Sequence, residues 1–147
     1  MHKPVNPKNN SERGQSLVEL ALSFTILLLL LSGAIDFGRA FFTWVSLRDS
    51  AQEGAAYGSI DPTNITEIEN RIYNVLESSN AIPDPRTNVT VSRTIIGQAC
   101  LGYTIQVDVD FPTFPITMPF LSSVLGTETL SIHATVQDTI LRPTCGQ

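Results

Sequence analysis

Few residues in this chain have the type and setting to do chemistry, and the most unusual is Glu19. It sits at the edge of an uncharged apolar run, Leu20 to Ile35, directly after Arg13-Gly14-Gln15-Ser16-Leu17-Val18. A carboxylate inside a membrane-length apolar segment costs roughly 2.5–3.5 kcal/mol and usually serves a function. Its bland alternative is an acid that snorkels toward lipid headgroups. Other candidates are weaker. Asp108 and Asp110 share one face of an alternating segment and could be offered as paired carboxylates for acid–base work, but they read as a solvated strand face. His133 alternates outward with Thr135, and the glycines at 54 and 58 resemble no phosphate loop. Cys100 and Cys145 with the distant His2 and His133 do not build a metal site. The residues therefore suggest no enzyme, no cofactor and no metal.

The elements that would position Glu19 follow from patterning. Residues 1–12 are polar and hold Pro4 and Pro7, which suggests a disordered leader, and no proline occurs from Gln15 to Gly58. One long helix is the simplest reading of that segment. Its uncharged run of sixteen residues spans about 24 Å, short of the roughly 20 residues that cross a bilayer. Extending it through Phe37, Ala40, Phe41 and Phe42 supplies the missing length, with Asp36 and Arg39 one turn apart and able to pair. Phe42 and Trp44 then fall where interfacial aromatics are expected. Phe37, Phe41, Trp44, Leu47, Ala51 and Ala55 recur at helical intervals and predict one apolar stripe, on which the helix continues as the spine of a domain. Gly54-Ala55-Ala56 with Gly58 would let another helix approach closely. Gly58 and Asp61-Pro62 stop it.

Beyond that stop, Asn64 and Glu67 predict a capping box, and Ile65, Ile68, Ile72, Val75 and Leu76 predict a second helix ending near Ser79. Pro83-Asp84-Pro85 reads as a turn and Thr87–Ile96 as a strand. Tyr103 to Phe111 alternates strictly, with Tyr103, Ile105, Val107, Val109 and Phe111 on one side, as in a half-buried antiparallel sheet. Pro112, Pro115 and Pro119 predict an irregular crossing past Phe114, Phe120 and Leu121. A last strand is expected from Glu128 to about Ile140, with Leu130, Ile132, Ala134 and Val136 inward. The expected fold class is α+β: a long N-terminal helix, a short helix and a small antiparallel sheet.

Charge and cysteines give the compartment. The chain carries a net charge of −5, which argues against a nucleic-acid partner. Lys3, Lys8 and Arg13 face only Glu12 within residues 1–14, so the basic end precedes the apolar run and the positive-inside rule places it in the cytoplasm. Everything after about residue 40 is then outside. A bridge between Cys100 and Cys145 would close a loop of about 45 residues, worth roughly 3–4 kcal/mol; two unpaired small residues are the alternative.

Residues 13–58 resemble the TadE-like family, small pseudopilins of the tight-adherence (Flp) pilus systems of bacteria. The resemblance lies in Arg13-Gly14-Gln15-Ser16-Leu17-Val18-Glu19-Leu20-Ala21-Leu22, the leucine run, Asp36-Phe37-Gly38-Arg39-Ala40-Phe41 and Glu53-Gly54-Ala55-Ala56. It implies cleavage between Gly14 and Gln15 by a prepilin peptidase, with Glu19 as the acid that accompanies the cut. The new α-amino group of Gln15, positive near neutral pH, and a neighbouring subunit's Glu19 would neutralise each other in a lipid-like core. The family often has a proline early in the run where this chain has Thr25, and the major pilins often follow the acid with an aromatic where this chain has Leu20. The sizeable C-terminal domain also argues against a major subunit. A secretory cut at Ser32-Gly33-Ala34, releasing a protein that begins at Ile35, is a further alternative.

The expectation is thus a cytoplasmic leader (1–14), a transmembrane and spine helix (15–58) and an extracytoplasmic α+β domain (59–147). The function expected is a minor pilin or pseudopilin, single-pass in the inner membrane and present in an extracellular pilus. Its expected partners are the prepilin peptidase, other pilin subunits and membrane lipid. The alternative is an uncleaved, membrane-anchored surface binding module.

Overall fold

The computed structural model describes residues 11–118 and 126–145. The order of elements is α1 (Ser11–Gly58), α2 (Ile65–Ser79), α3 (Pro85–Asn88), β1 (Thr90–Ile96), β2 (Thr104–Pro115) and β3 (Thr129–Thr139). This is the α+β layout expected from the pattern. With nothing in its sequence to break it, α1 runs for 48 residues, about 72 Å, and begins at Ser11, one turn before the expected start at Gln15. It ends where the sequence stops it: the amides of Ser59, Ile60 and Asp61 turn back onto the carbonyls of Ala55 and Tyr57, and Pro62 is buried.

Asn64 Oδ1 accepts from the Glu67 amide at 3.2 Å and starts α2; Asn80, at φ 55°, ends it in the left-handed conformation. Ile68, Ile72 and Leu76 are buried, whereas Ile65, expected on the same stripe, is exposed. Close approach to α1 depends on glycine. A Cβ on Gly54 would lie 2.6 Å from Ile72 Cδ1, and one on Gly58 would lie 2.4 Å from Ile105 Cδ1. The two glycines thus admit α2 at one position and the sheet at the other. Arg71 spans the α1–α2 seam, bonding Glu53 at 2.8 Å and lying 4.7 Å from the Tyr57 ring.

The sheet is antiparallel in the order β1-β2-β3. Ile105, Val107, Val109 and Phe111 face the helices and are buried, while Gln106 and Asp108 form a polar ladder on the other face with Thr135 and Gln137. Three local expectations need correction. Thr87 is helical, because Pro85 presets the first turn of α3 and Asp84 enters it at φ 44°; the strand starts only at Thr90. Tyr103 is not an inward strand residue: it precedes β2 with its ring over Gly97, where φ is 104° and a Cβ would sit 1.9 Å from Tyr103 Cδ1. Finally, β2 continues through Pro112 to Pro115. Pro112 and Thr113 oppose Ser131 alone in a bulge between Phe111 and Phe114; a bulge tolerates the amide that proline lacks. Phe111 and Phe114 meet edge to face at 6.4 Å, both buried. Phe120 and Leu121 lie outside the described residues.

In β3, Ala134 is buried and Ile132 and Val136 are half-buried, but Leu130 is exposed. After β3 the chain folds back over the end of α1, with Leu141 N donating to Ser59 O at 2.7 Å, and a disulfide joins Cys145 to Cys100.

Two outcomes are expected from this packing. Ile72→Ala empties the α1–α2 seam and should cost about 2–5 kcal/mol in denaturant unfolding of the domain. The Cys100→Ala/Cys145→Ala double variant should lose about 3–4 kcal/mol in the same assay, the loop-closure value for this separation.

Candidate functional site: the free helix and its polar junction

The start of α1 packs on none of the described residues. Gly14 to Leu28 are exposed throughout, and a window of mean hydropathy 2.2 lies within the helix. The helix has the length and composition of a single membrane span. Its uncharged run, Leu20 to Ile35, covers about 24 Å of the roughly 30 Å of a bilayer's hydrocarbon core. Gly14, Gln15, Val18, Glu19 and Leu22 share one patch near its start. Gln15 and Glu19 are separated by four residues, one helical turn, and both are exposed. The Gly14–Gln15 bond is itself helical. Thr25, placed where a helix-breaking residue would bend the run, instead donates its hydroxyl to Ala21 O at 2.9 Å.

Contact with the domain begins at the other end of the run. Met118 reaches down to Gly33, where a Cβ would lie 3.3 Å from its Sδ. One turn above, Asp36 is 7% exposed. Its carboxylate accepts from Thr117 N at 2.8 Å, from Met118 N at 2.6 Å and from the Thr117 hydroxyl. Arg39 Nη1 lies 3.2 Å from both Asp36 Oδ1 and Thr117 Oγ1, with its guanidinium 5.4 Å from the Phe114 ring. The pairing of Asp36 with Arg39 was legible from their spacing. The clasp on Thr117 and Met118 was not, because it joins positions more than eighty residues apart; the one available signal was an acid at the end of an uncharged run.

From Asp36 onward the helix has a covered face, and it is not the expected stripe. Asp36, Ala40, Thr43, Leu47, Ala51 and Ala55 turn toward the domain. Phe37 is 73% and Trp44 38% exposed, and Phe41 lies between them at ring distances of 6.4 and 6.1 Å. At 100° per residue the three aromatics lie about 60–120° around the helix from Leu47. The expected stripe is therefore two: a buried one of small and aliphatic residues and an exposed aromatic one.

The acid–base candidates are engaged elsewhere. Asp108 accepts from Thr135 Oγ1 at 2.6 Å and from Gln106, and His133 is exposed on β3, lining a shallow groove with Trp44 and Arg48 of α1. Glu19, Gln15 and Gly14 lie far along α1 from the Cys100–Cys145 bridge, so the sequence-derived sites do not converge on one pocket.

Removing the acceptor at the junction gives a local readout. Asp36→Ala should raise amide hydrogen exchange at Thr117 and Met118 by at least about tenfold, since each bond to a charged group contributes about 1.5–3 kcal/mol. The α2 amides should be unchanged.

Comparison with curated proteins and with solved structures gives no significant match. A family comparison does, over the free helix, the junction and the glycine-bearing seam. Residues 14–56 match the family described as TadE-like protein, and with its apolar N-terminal helix the chain fits a membrane protein associated with a Tad pilus.

Proposed function

We propose that this chain is a minor pilin or pseudopilin of a tight-adherence pilus, cut between Gly14 and Gln15, and that it works by packing rather than catalysis. Residues 1–14 are the cytoplasmic leader, 15–58 the span and spine, and 59–147 the extracytoplasmic domain. The observation that carries this reading is Glu19: exposed, one turn from Gln15, on a helix whose first half the domain leaves bare. After the cut, the Gln15 amine is a cation that a neighbouring subunit's Glu19 neutralises, the usual resolution for charge in an apolar medium. The partners are then the prepilin peptidase, other pilin subunits and, before assembly, lipid. Lys3, Lys8 and Arg13 support a cytoplasmic N-terminus.

The uncleaved anchor, a surface module held in the membrane, is favoured by one feature: α1 runs through the scissile bond, which must unwind to enter a peptidase. Glycine at 14 lowers that cost, being about 1 kcal/mol poorer than alanine in a helix.

Intact mass of the full chain, co-expressed with the prepilin peptidase of its own system, separates these readings. A new N-terminus at Gln15 is expected; a chain still starting at Met1 supports the uncleaved anchor, and a start at Ile35 overturns both. A Cβ at Gly14 would meet nothing within 4 Å, so Gly14→Leu should fold normally and remain uncut. Glu19→Gln should be cut yet fail to join pili, scored by subunit recovery from sheared filaments; unchanged recovery removes the amine–carboxylate pairing.

A further inference from the structure

We propose that the connection leaving β2, Ile116–Met118, is a second membrane contact, resting in the outer headgroup and acyl boundary beside the helix. The proposal rests on the single-pass reading of α1. Height is the first argument. Met118 lies against Gly33, two residues inside the last apolar residue of the run, Ile35. The domain therefore extends about 3 Å below the point where the uncharged run ends.

The polar groups of the segment are satisfied within the protein. Backbone amides brought to lipid depth must be bonded within the protein, because each unsatisfied one costs several kcal/mol. Thr117 N and Met118 N both donate to the buried Asp36 carboxylate, and the Thr117 hydroxyl does the same. Asp36 in turn is not left as a bare charge, since Arg39 closes the cluster from above with a side chain long enough to keep its head at the headgroups.

Length and surroundings point the same way. The uncharged run covers about 24 Å, some 6 Å less than a hydrocarbon core. Apolar surface around the end of the run offsets that deficit: Phe37 and Phe41 are exposed on one side of the helix and Phe42 on another, and the half-buried Ile116 and Met118 stand beside it. No charged residue occurs in the sequence between Asp110 and Glu128. Aromatics at this height are the usual mark of a membrane interface, so lipid is the occupant that the whole ring fits.

Site-directed nitroxide labelling of the full chain in phosphatidylcholine–phosphatidylglycerol vesicles tests the contact. Cys100 and Cys145 are bridged, so a single introduced cysteine takes the label. Met118→Cys is compared with Leu28→Cys, inside the run, and with Thr94→Cys, exposed on β1 at the end of the sheet away from Met118. The ratio of collision with oxygen to collision with a nickel chelate should be several-fold higher at 118 than at 94, with 28 highest. Introducing Asp36→Asn should lower the ratio at 118 toward that at 94 and leave 28 unchanged. A ratio at 118 equal to that at 94, with 28 still in lipid, overturns the contact while the span stands. Aqueous ratios at both 118 and 28 overturn the span and the contact together. Concentration-dependent spin–spin broadening at 118 would assign the surface to a second copy and overturn the lipid assignment.

Discussion

A carboxylate set one residue beyond sixteen uncharged ones must be solvated by something, and at Asp36 the protein supplies the solvent. Two backbone amides, a hydroxyl and a guanidinium converge on it. That requirement fixes where the domain sits along a 48-residue helix. Slide the domain up by one turn and Asp36 is bare beside lipid; slide it down and the Thr117 and Met118 amides lose their acceptor.

The remaining contacts work from that fixed point. Gly54 and Gly58 let Ile72 and Ile105 press against the helix backbone, which sets the spacing of α2 and the sheet. At the far end, the chain after β3 crosses Ser59 and is tied by the Cys100–Cys145 bridge. The domain is thus held near the apolar run by charge-assisted hydrogen bonds and at the end of α1 by the Leu141 and Arg142 amides on Ser59 O, with the hydrophobic core between and the disulfide closing the tail onto the β1–β2 connection.

The two acids of α1 make an instructive contrast. Asp36 is buried and satisfied by its own chain, whereas Glu19 is exposed on a segment that none of the described residues covers. An apolar half-helix that the fold leaves bare belongs to a different medium from the domain, and a carboxylate within it acquires a role only from what surrounds it there. This is why the TadE-like match over residues 14–56 informs the helix and its seam and leaves the chemistry of the domain's outer face to be found by experiment.

Local periodicity was enough to determine the long helix and its stop at Gly58, the Asn64 cap of α2, the alternating β2 and the α+β class, because those features depend on residues within a turn or two of each other. The same local information placed Asp36 beside Arg39 and marked Glu19 as out of place. It could not choose which stripe of α1 is buried: Phe37, Phe41 and Trp44 are as apolar as Leu47, and only the surface presented by the sheet selects between faces 60–120° apart. Nor could it carry β2 past Pro112, since a bulge needs a partner strand to oppose it, or turn Thr87 into helix against its β-branched preference. The bridge was undecided until folding brought Cys100 and Cys145 to a Cα separation of 4.9 Å. The clasp at Asp36 was likewise decided only by tertiary structure, because its donors lie more than eighty residues away and no local pattern encodes a contact closed across that much chain.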